Sequence, residues 1–419
     1  MKSFLKVILQ AVTSRYVVYA ANLASIIVLA RLIDPSGFGT VATSMLFLYL
    51  YQGLCDGSLM PSVNNTRRLN SGILGHLLLL LMFTGLFLGT LFFFSATALA
   101  EIFDNTDLNS VVKINSFAFF AIGLSSLICA VFTRHKKFRS IAIAGVLSEA
   151  LTTSGCVFLL KYTDIGFLAL ALKVSLLPWI NLVTLVYFYR RRVNKLPKPI
   201  YISGKIFDDA FLEVFRFQFL ITSVNSLARN LDYMIIGLVF GPATLGFYEK
   251  SFQLMKYPIS LLGFSLTPAI QPALRLIKSK PQAVGRIYSR FQIILASCSI
   301  VISGIMWYFC DGIVDTLFGS GWAIASEYLK ILIIGVPAQV AMVASGGFLI
   351  ALGGSKNHFY CSVVAFVLLV IALVYGSFMV INMYILCYAI VLSYYVSCIF
   401  LLFNFNSLLR QSQMRLTDE

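Results

Sequence analysis

Apolar runs of about twenty residues recur along the chain, each closed by charges or by Gly- and Pro-rich breaks. A helix rising 1.5 Å per residue needs roughly 20 apolar residues to cross the hydrocarbon core of a bilayer. Read this way, the pattern predicts twelve spans, near 11–32, 39–60, 73–95, 112–132, 141–161, 165–189, 214–240, 247–271, 288–310, 328–351, 359–380 and 382–403. Only Ile381 and Asn382 separate the last two.

Composition agrees with this reading. Of 419 residues, 59% are apolar and 12% charged, and the mean hydropathy is +0.88. These values exclude a soluble enzyme, a disordered chain and a small secreted scaffold. The net charge of +15 would suggest nucleic acid on a soluble chain, but its distribution points to a membrane. Lys2, Lys6 and Arg15, then Arg67 and Arg68, Arg134, Lys136, Lys137 and Arg139 fall at the N-terminus and in the even loops. So do Arg190, Arg191, Arg192, Lys195, Lys198 and Lys205, then Arg275, Lys278, Lys280, Arg286 and Arg290, then Lys356, while Arg410 and Arg415 lie in the C-terminal tail. The odd loops carry Asp34, Glu101, Asp104, Asp107, Asp164, Asp311, Asp315 and Glu327. By the positive-inside rule both termini are expected in the cytoplasm, with an uncleaved first helix and no nucleic-acid partner.

Conventional chemistry is not signalled. The eight cysteines and three histidines show no ligand spacing. There is no Walker motif, no GxGxxG and no nucleophile elbow. No catalytic residue, metal or cofactor is therefore expected.

The second half echoes the first at one fixed offset. Pro35 aligns with Pro242, Gly39 with Gly246, Pro61 with Pro268 and Arg68 with Arg275. Six helices per half put both halves in the same orientation, so the repeats are parallel. The expected fold is thus an all-α polytopic membrane protein of two six-helix bundles around a central cleft. The first bundle spans 1–189, a cytoplasmic linker 190–213, and the second bundle 214–419. Lys195-Leu196-Pro197-Lys198-Pro199 breaks the linker, and a helix is expected to restart between Asp208 and Phe217.

Polar residues mark the faces that line such a cleft. Gln218, Thr222, Asn225, Arg229 and Asp232 follow spacings of one helical face. Glu249, Gln253, Lys256 and Ser260 do the same on the next span, with Lys250 one residue aside. Arg15, Asn22 and Ser25 form a weaker stripe on the first span, and Tyr49, Gln52 and Asp56 lie on the second. Glu149, Lys173 and Arg31 add further charges. A charge at the bilayer centre costs at least ~2.5–3.5 kcal/mol. These groups are therefore expected to face a partner or a wet cavity. The bland reading of Arg229 and Asp232 is an ion pair three residues apart. The length of the stripe favours a cleft, and its basic excess suits phosphate.

The segment Ala30-Arg31-Leu32-Ile33-Asp34-Pro35-Ser36-Gly37-Phe38-Gly39 resembles the first-loop signature of polysaccharide exporters. Asn230-Leu231-Asp232-Tyr233-Met234-Ile235-Ile236-Gly237, with the stretch from Gly241 to Tyr248, resembles their second-half signature. The family is the Wzx-type flippases of the multidrug/oligosaccharidyl-lipid/polysaccharide superfamily. The resemblance implies transfer of undecaprenyl-diphosphate-linked O-antigen or capsular repeat units across the bacterial inner membrane, from the cytoplasmic to the periplasmic leaflet, by alternating access. It implies that Arg229 and Lys256, with Arg31, Lys173 and Lys250, meet the diphosphate. Asn22, Tyr49, Gln52, Asn225, Gln253 and Tyr257 would meet sugar. Asp232, Glu249, Asp56 and Glu149 would take a coupling H+ or Na+ or balance the cations. A polymerase and a chain-length regulator of the same pathway would be partners.

Rival readings fit less well. A cation-coupled drug exporter of the MATE type wants a more acidic or apolar cleft. A lipid II flippase normally has fourteen helices. A membrane glycosyltransferase or polymerase needs a large extracytoplasmic loop, and the odd loops are short.

Overall fold

The computed structural model describes residues 2–65, 71–192, 209–264, 281–351 and 355–417, and among them there is no strand. Helices α1 (Lys2–Ala30), α2 (Pro35–Asn65), α3 (Ser71–Phe94), α4 (Ala96–Ile102), α5 (Asp107–Ser116), α6 (Ala118–Arg134), α7 (Phe138–Tyr162) and α8 (Leu168–Arg192) come first. After them come α9 (Asp209–Ile259), α10 (Pro281–Tyr308), α11 (Cys310–Phe318), α12 (Ala323–Leu332), α13 (Val336–Ala351), α14 (Ser355–Val374) and α15 (Met383–Thr417).

Among the described residues, eleven helical stretches are long and apolar enough to cross a membrane. The chain is a multi-pass membrane protein. One of these stretches, Asn230–Leu262, straddles a break and accounts for the difference from twelve. Helix α9 is 51 residues long, roughly 75 Å at 1.5 Å per residue and too long for one crossing. It breaks at Gly241, whose φ of 80° and ψ of 175° lie outside helical space. A glycine takes up that φ without a Cβ penalty. The expected spans 214–240 and 247–271 fall on either side of the break. The second gives way to a π turn at Ser260–Phe264.

Outward faces are apolar. Phe83, Leu86, Phe87 and Leu91 of α3 are exposed, as are Ile293, Ile294, Ile300 and Val301 of α10. Helices apolar on both inner and outer faces suit a lipid solvent.

Two signatures read from the sequence have local causes. Asp34 precedes α2 and accepts hydrogen bonds from the backbone N–H groups of Ser36 (3.2 Å) and Gly37 (3.3 Å), and from the Ser36 hydroxyl. Pro35 opens the helix, where a missing N–H costs nothing. A similar device sets the last turn. Ile381 takes a φ of 52°, and the Asn382 side chain accepts the N–H groups of Tyr384 (2.9 Å) and Ile385 (3.2 Å). Two residues are thus enough to reverse the chain.

The chain divides into two compact units, Met1–Gly246 and Phe247–Glu419. The linker expected at 190–213 lies for its greater part, 193–208, outside the described residues; α9 starts at Asp209, within the predicted restart. In the first unit, α2 packs on α6, α3 on α6 and α7 on α8, while α1 packs on α7. Leu77, Leu108, Val112, Phe132 and Leu185 are fully buried in its core. In the second unit, Tyr288, Phe348, Leu401 and Phe405 form a core in which the Tyr288 and Phe405 ring centroids are 3.8 Å apart.

The repeat-related Pro-x-x-x-Gly turns meet inside the first unit. A Cβ on Gly39 would overlap the Pro242 carbonyl, and one on Gly246 would overlap the Pro35 carbonyl. Such reciprocal contact is what a two-fold relation between like segments produces. The seam continues along α2 and the first part of α9. A Cβ at Gly57 would lie 3.1 Å from Thr222 Cβ, one at Gly53 3.4 Å from Ser226 Cβ, and one at Gly237 3.5 Å from Thr43 Oγ1. Small residues let the two backbones approach where lipid gives no hydrophobic drive.

Candidate functional site

The first unit holds a buried charge network spanning three helices. From α8, the Lys173 ammonium lies 3.0 Å from Glu149 Oε2 of α7 and donates to Ser25 Oγ of α1 at 2.8 Å. Asn22 of α1 donates to Glu149 Oε1 at 2.9 Å, and Thr153 donates to Ser25 Oγ at 2.7 Å. Glu149 is 7% exposed and Lys173 8%. A lone charge at that depth would be prohibitive, and the pair cancels it. Asn22, Glu149 and Lys173, assigned three different roles from sequence, are therefore brought into one cluster. Lys173 is engaged by a carboxylate there, and Asn22 by the same carboxylate.

On α2, Tyr49 and Gln52 are exposed, whereas Asp56 is half-buried. On α9, Asp232 is buried, and its carboxylate accepts the Tyr233 N–H at 3.0 Å. Asn230 is turned onto the Ser226 carbonyl at 2.6 Å. The side chains of Gln218, Asn225 and Arg229 lie outside the described residues. Arg31, just past the end of α1, is exposed.

In the second unit Glu249 and Lys250 form a buried pair at 2.6 Å. Lys250, one residue aside from the stripe, is thus buried within the unit. Lys256 is exposed, with its ammonium 4.4 Å from the Phe252 ring centroid. Gln253 and Tyr257 are half-buried on the same stretch. Ser251 anchors this segment by donating to the Ala325 carbonyl at 2.6 Å.

A separate concavity in the second unit is lined by Asp311, Asp315, Glu327 and Lys330. Lys330 is sealed to Asp311 at 2.6 Å. That ammonium, with the Ser326 hydroxyl, holds the Asp311 carboxyl below its ordinary value. The pocket is net acidic and unsuited to phosphate. No group of three or more His, Cys, Asp or Glu able to hold a metal occurs among the described residues.

Sequence reasoning missed Thr153, which belongs to no polar stripe, and the seam glycines. The latter had a signal in Gly53-Leu54-Cys55-Asp56-Gly57, a small-xxx-small pattern.

A family model described as polysaccharide biosynthesis protein matches residues 28–327. The chain is 22% identical over 277 residues to the teichuronic acid biosynthesis protein TuaB of Bacillus subtilis (strain 168), covering 66% of this chain and 56% of that one. It is 23% identical over 328 residues to the lipopolysaccharide biosynthesis protein WzxC of Escherichia coli (strain K12), covering 76% and 64%. The chain thus spans less than two thirds of the length of both relatives. Among solved structures it superposes on an inward-facing MATE family multidrug resistance transporter of the MOP superfamily. The TM-score is 0.78 at 12% identity, covering 94% of this chain and 95% of that one. It superposes equally on the lipid II flippase MurJ in an inward closed conformation, with TM-score 0.78 at 13% identity, covering 97% and 92%. At such identities the likeness establishes the fold, the twelve-helix arrangement of MOP superfamily transporters.

Proposed function

The chain belongs to the polysaccharide biosynthesis protein family, and on that premise we propose that it is a flippase for undecaprenyl-diphosphate-linked oligosaccharide repeat units in the bacterial inner membrane. The observation that carries this reading is the family match over residues 28–327, which spans both signature segments. The fold alone does not choose between a drug exporter and a flippase, since the two solved neighbours superpose equally. The family match and the basic residues favour the flippase.

In this reading both termini are cytoplasmic and units pass outward by alternating access. Arg229, exposed Lys256 and exposed Arg31 neutralise the diphosphate, to which guanidinium and ammonium groups bind strongly. Exposed Tyr49 and Gln52, with Asn225, Gln253 and Tyr257, meet the sugars. Asp232 and Asp56 are the carboxylates proposed to couple transport to an H+ or Na+ gradient. A polymerase and a chain-length regulator act on the delivered units. No bond in the substrate is made or broken.

A deletion strain tests this. Mass spectrometry of its lipid extract is expected to show complete undecaprenyl-diphosphate-linked repeat units accumulating as surface polymer disappears. Unchanged surface polymer with no lipid-linked intermediate would reject the reading. Complementation with Arg229→Ala should leave membrane levels of the protein normal and abolish surface polymer. Arg229→Lys should restore it only in part, because a point charge does not replace a planar fork. Normal polymer from Arg229→Ala would remove Arg229 from the proposed role.

A further inference from the structure

The Lys173 ammonium lies between a carboxylate of α7 and a hydroxyl of α1. Ser25 Oγ accepts from both Lys173 and Thr153, so its lone pairs face the ammonium and its own proton points elsewhere. Glu149 Oε1 is occupied by the Asn22 amide at 2.9 Å, which leaves Oε2 to the ammonium at 3.0 Å. One oxygen from α1 and one from α7 thus lie within 3.0 Å of one positive centre. Ser25, Glu149 and Lys173 are more than nine-tenths buried, and Asn22 and Thr153 are half-buried. An ammonium ion is close in size to a potassium ion and carries the same charge.

We propose that Lys173 serves this protein as a tethered cation: the cage of Glu149 and Ser25, oriented by Asn22 and Thr153, is a monovalent-cation site whose ion the chain supplies from α8. A diffusing ion would hold α1 against α7 only when its concentration allowed. A tethered one is always present, because linkage makes its binding intramolecular. The docking of α1 is then independent of the Na+ and K+ around the protein. This inference does not depend on the transported substrate, and its test needs none.

The test is thermal unfolding of the full chain, purified in detergent, in chloride salts of choline, potassium and methylammonium at equal ionic strength, with sodium left out because Asp232 and Asp56 are proposed to bind it. Wild type is expected to melt at one temperature in all three. Lys173→Ala is expected to melt several degrees lower in choline. It should rise in a saturable, concentration-dependent way with methylammonium or potassium, as ligand linkage requires. Glu149→Gln/Lys173→Ala, which removes the cage charge, should not respond. A melting temperature of wild type that differs among these three cations would overturn the proposal. So would a Lys173→Ala variant indifferent to all three, or a response that persists in the double variant. Because the cytoplasm is rich in potassium, the emptied cage should fill during expression. Failure of Lys173→Ala to accumulate while the double variant accumulates would therefore also overturn it.

Discussion

Gly39→Val is expected to prevent stable assembly of the first unit. The first atom added at position 39 would overlap the Pro242 carbonyl, and the Gly246 amide nitrogen lies only 3.0 Å from that atom. Both neighbours are backbone, so no rotamer change relieves the clash. Overpacking against movable side chains costs about 1–3 kcal/mol, and a backbone obstacle places this variant at or beyond the upper end. Gly246→Val should behave alike, because its added atom overlaps the Pro35 carbonyl. Gly155→Ala is the control, since nothing lies within 4 Å of a Cβ there. It should be neutral or slightly stabilising, by up to about 1 kcal/mol. Fluorescence-detected size-exclusion of tagged variants reads the outcome. A monodisperse, wild-type-like peak from Gly39→Val would show that the two turns do not pack as described.

The second large effect is non-additivity at the buried pair. Glu149→Ala strands the Lys173 charge inside the first unit, and removing one partner of such a pair costs about 3–5 kcal/mol. Replacing both residues by methionine removes both charges at roughly constant volume and should recover most of that loss. The melting temperatures of the two singles and the double in detergent complete the cycle. A double variant as unstable as the sum of the singles would mean that Glu149 and Lys173 act independently.

Helix number and sequence position were legible because they follow from local composition: the span at 73–95, for instance, reappears as Ser71–Phe94. The break in α9 was legible too, because Gly241-Pro242 repeats the punctuation of Asp34-Pro35. What escaped the sequence is information about neighbours. The repeat aligned Gly39 with Gly246, yet an alignment of equivalent positions does not say that they touch. The span pattern likewise put Glu149 and Lys173 on different helices as isolated charges, but not against each other. Spacing along one helix fixes a face and leaves the opposing face unknown. The fourth expected span, 112–132, is divided at Phe117 into α5 and α6. No glycine or proline marks that division, and the Phe117 carbonyl accepts the Trp179 indole N–H at 3.0 Å, a tertiary contact with no local signature.

The central claim is movement of a lipid-linked oligosaccharide between leaflets. The most direct measurement uses vesicles holding the purified protein and the repeat units extracted from the deletion strain, probed from outside with a membrane-impermeant sugar oxidant. The account predicts that, with the protein present, nearly all of the units become accessible over time. In protein-free vesicles, or in those holding Arg229→Ala, only the units already in the outer leaflet should react. Equal accessible fractions with and without the protein would contradict it.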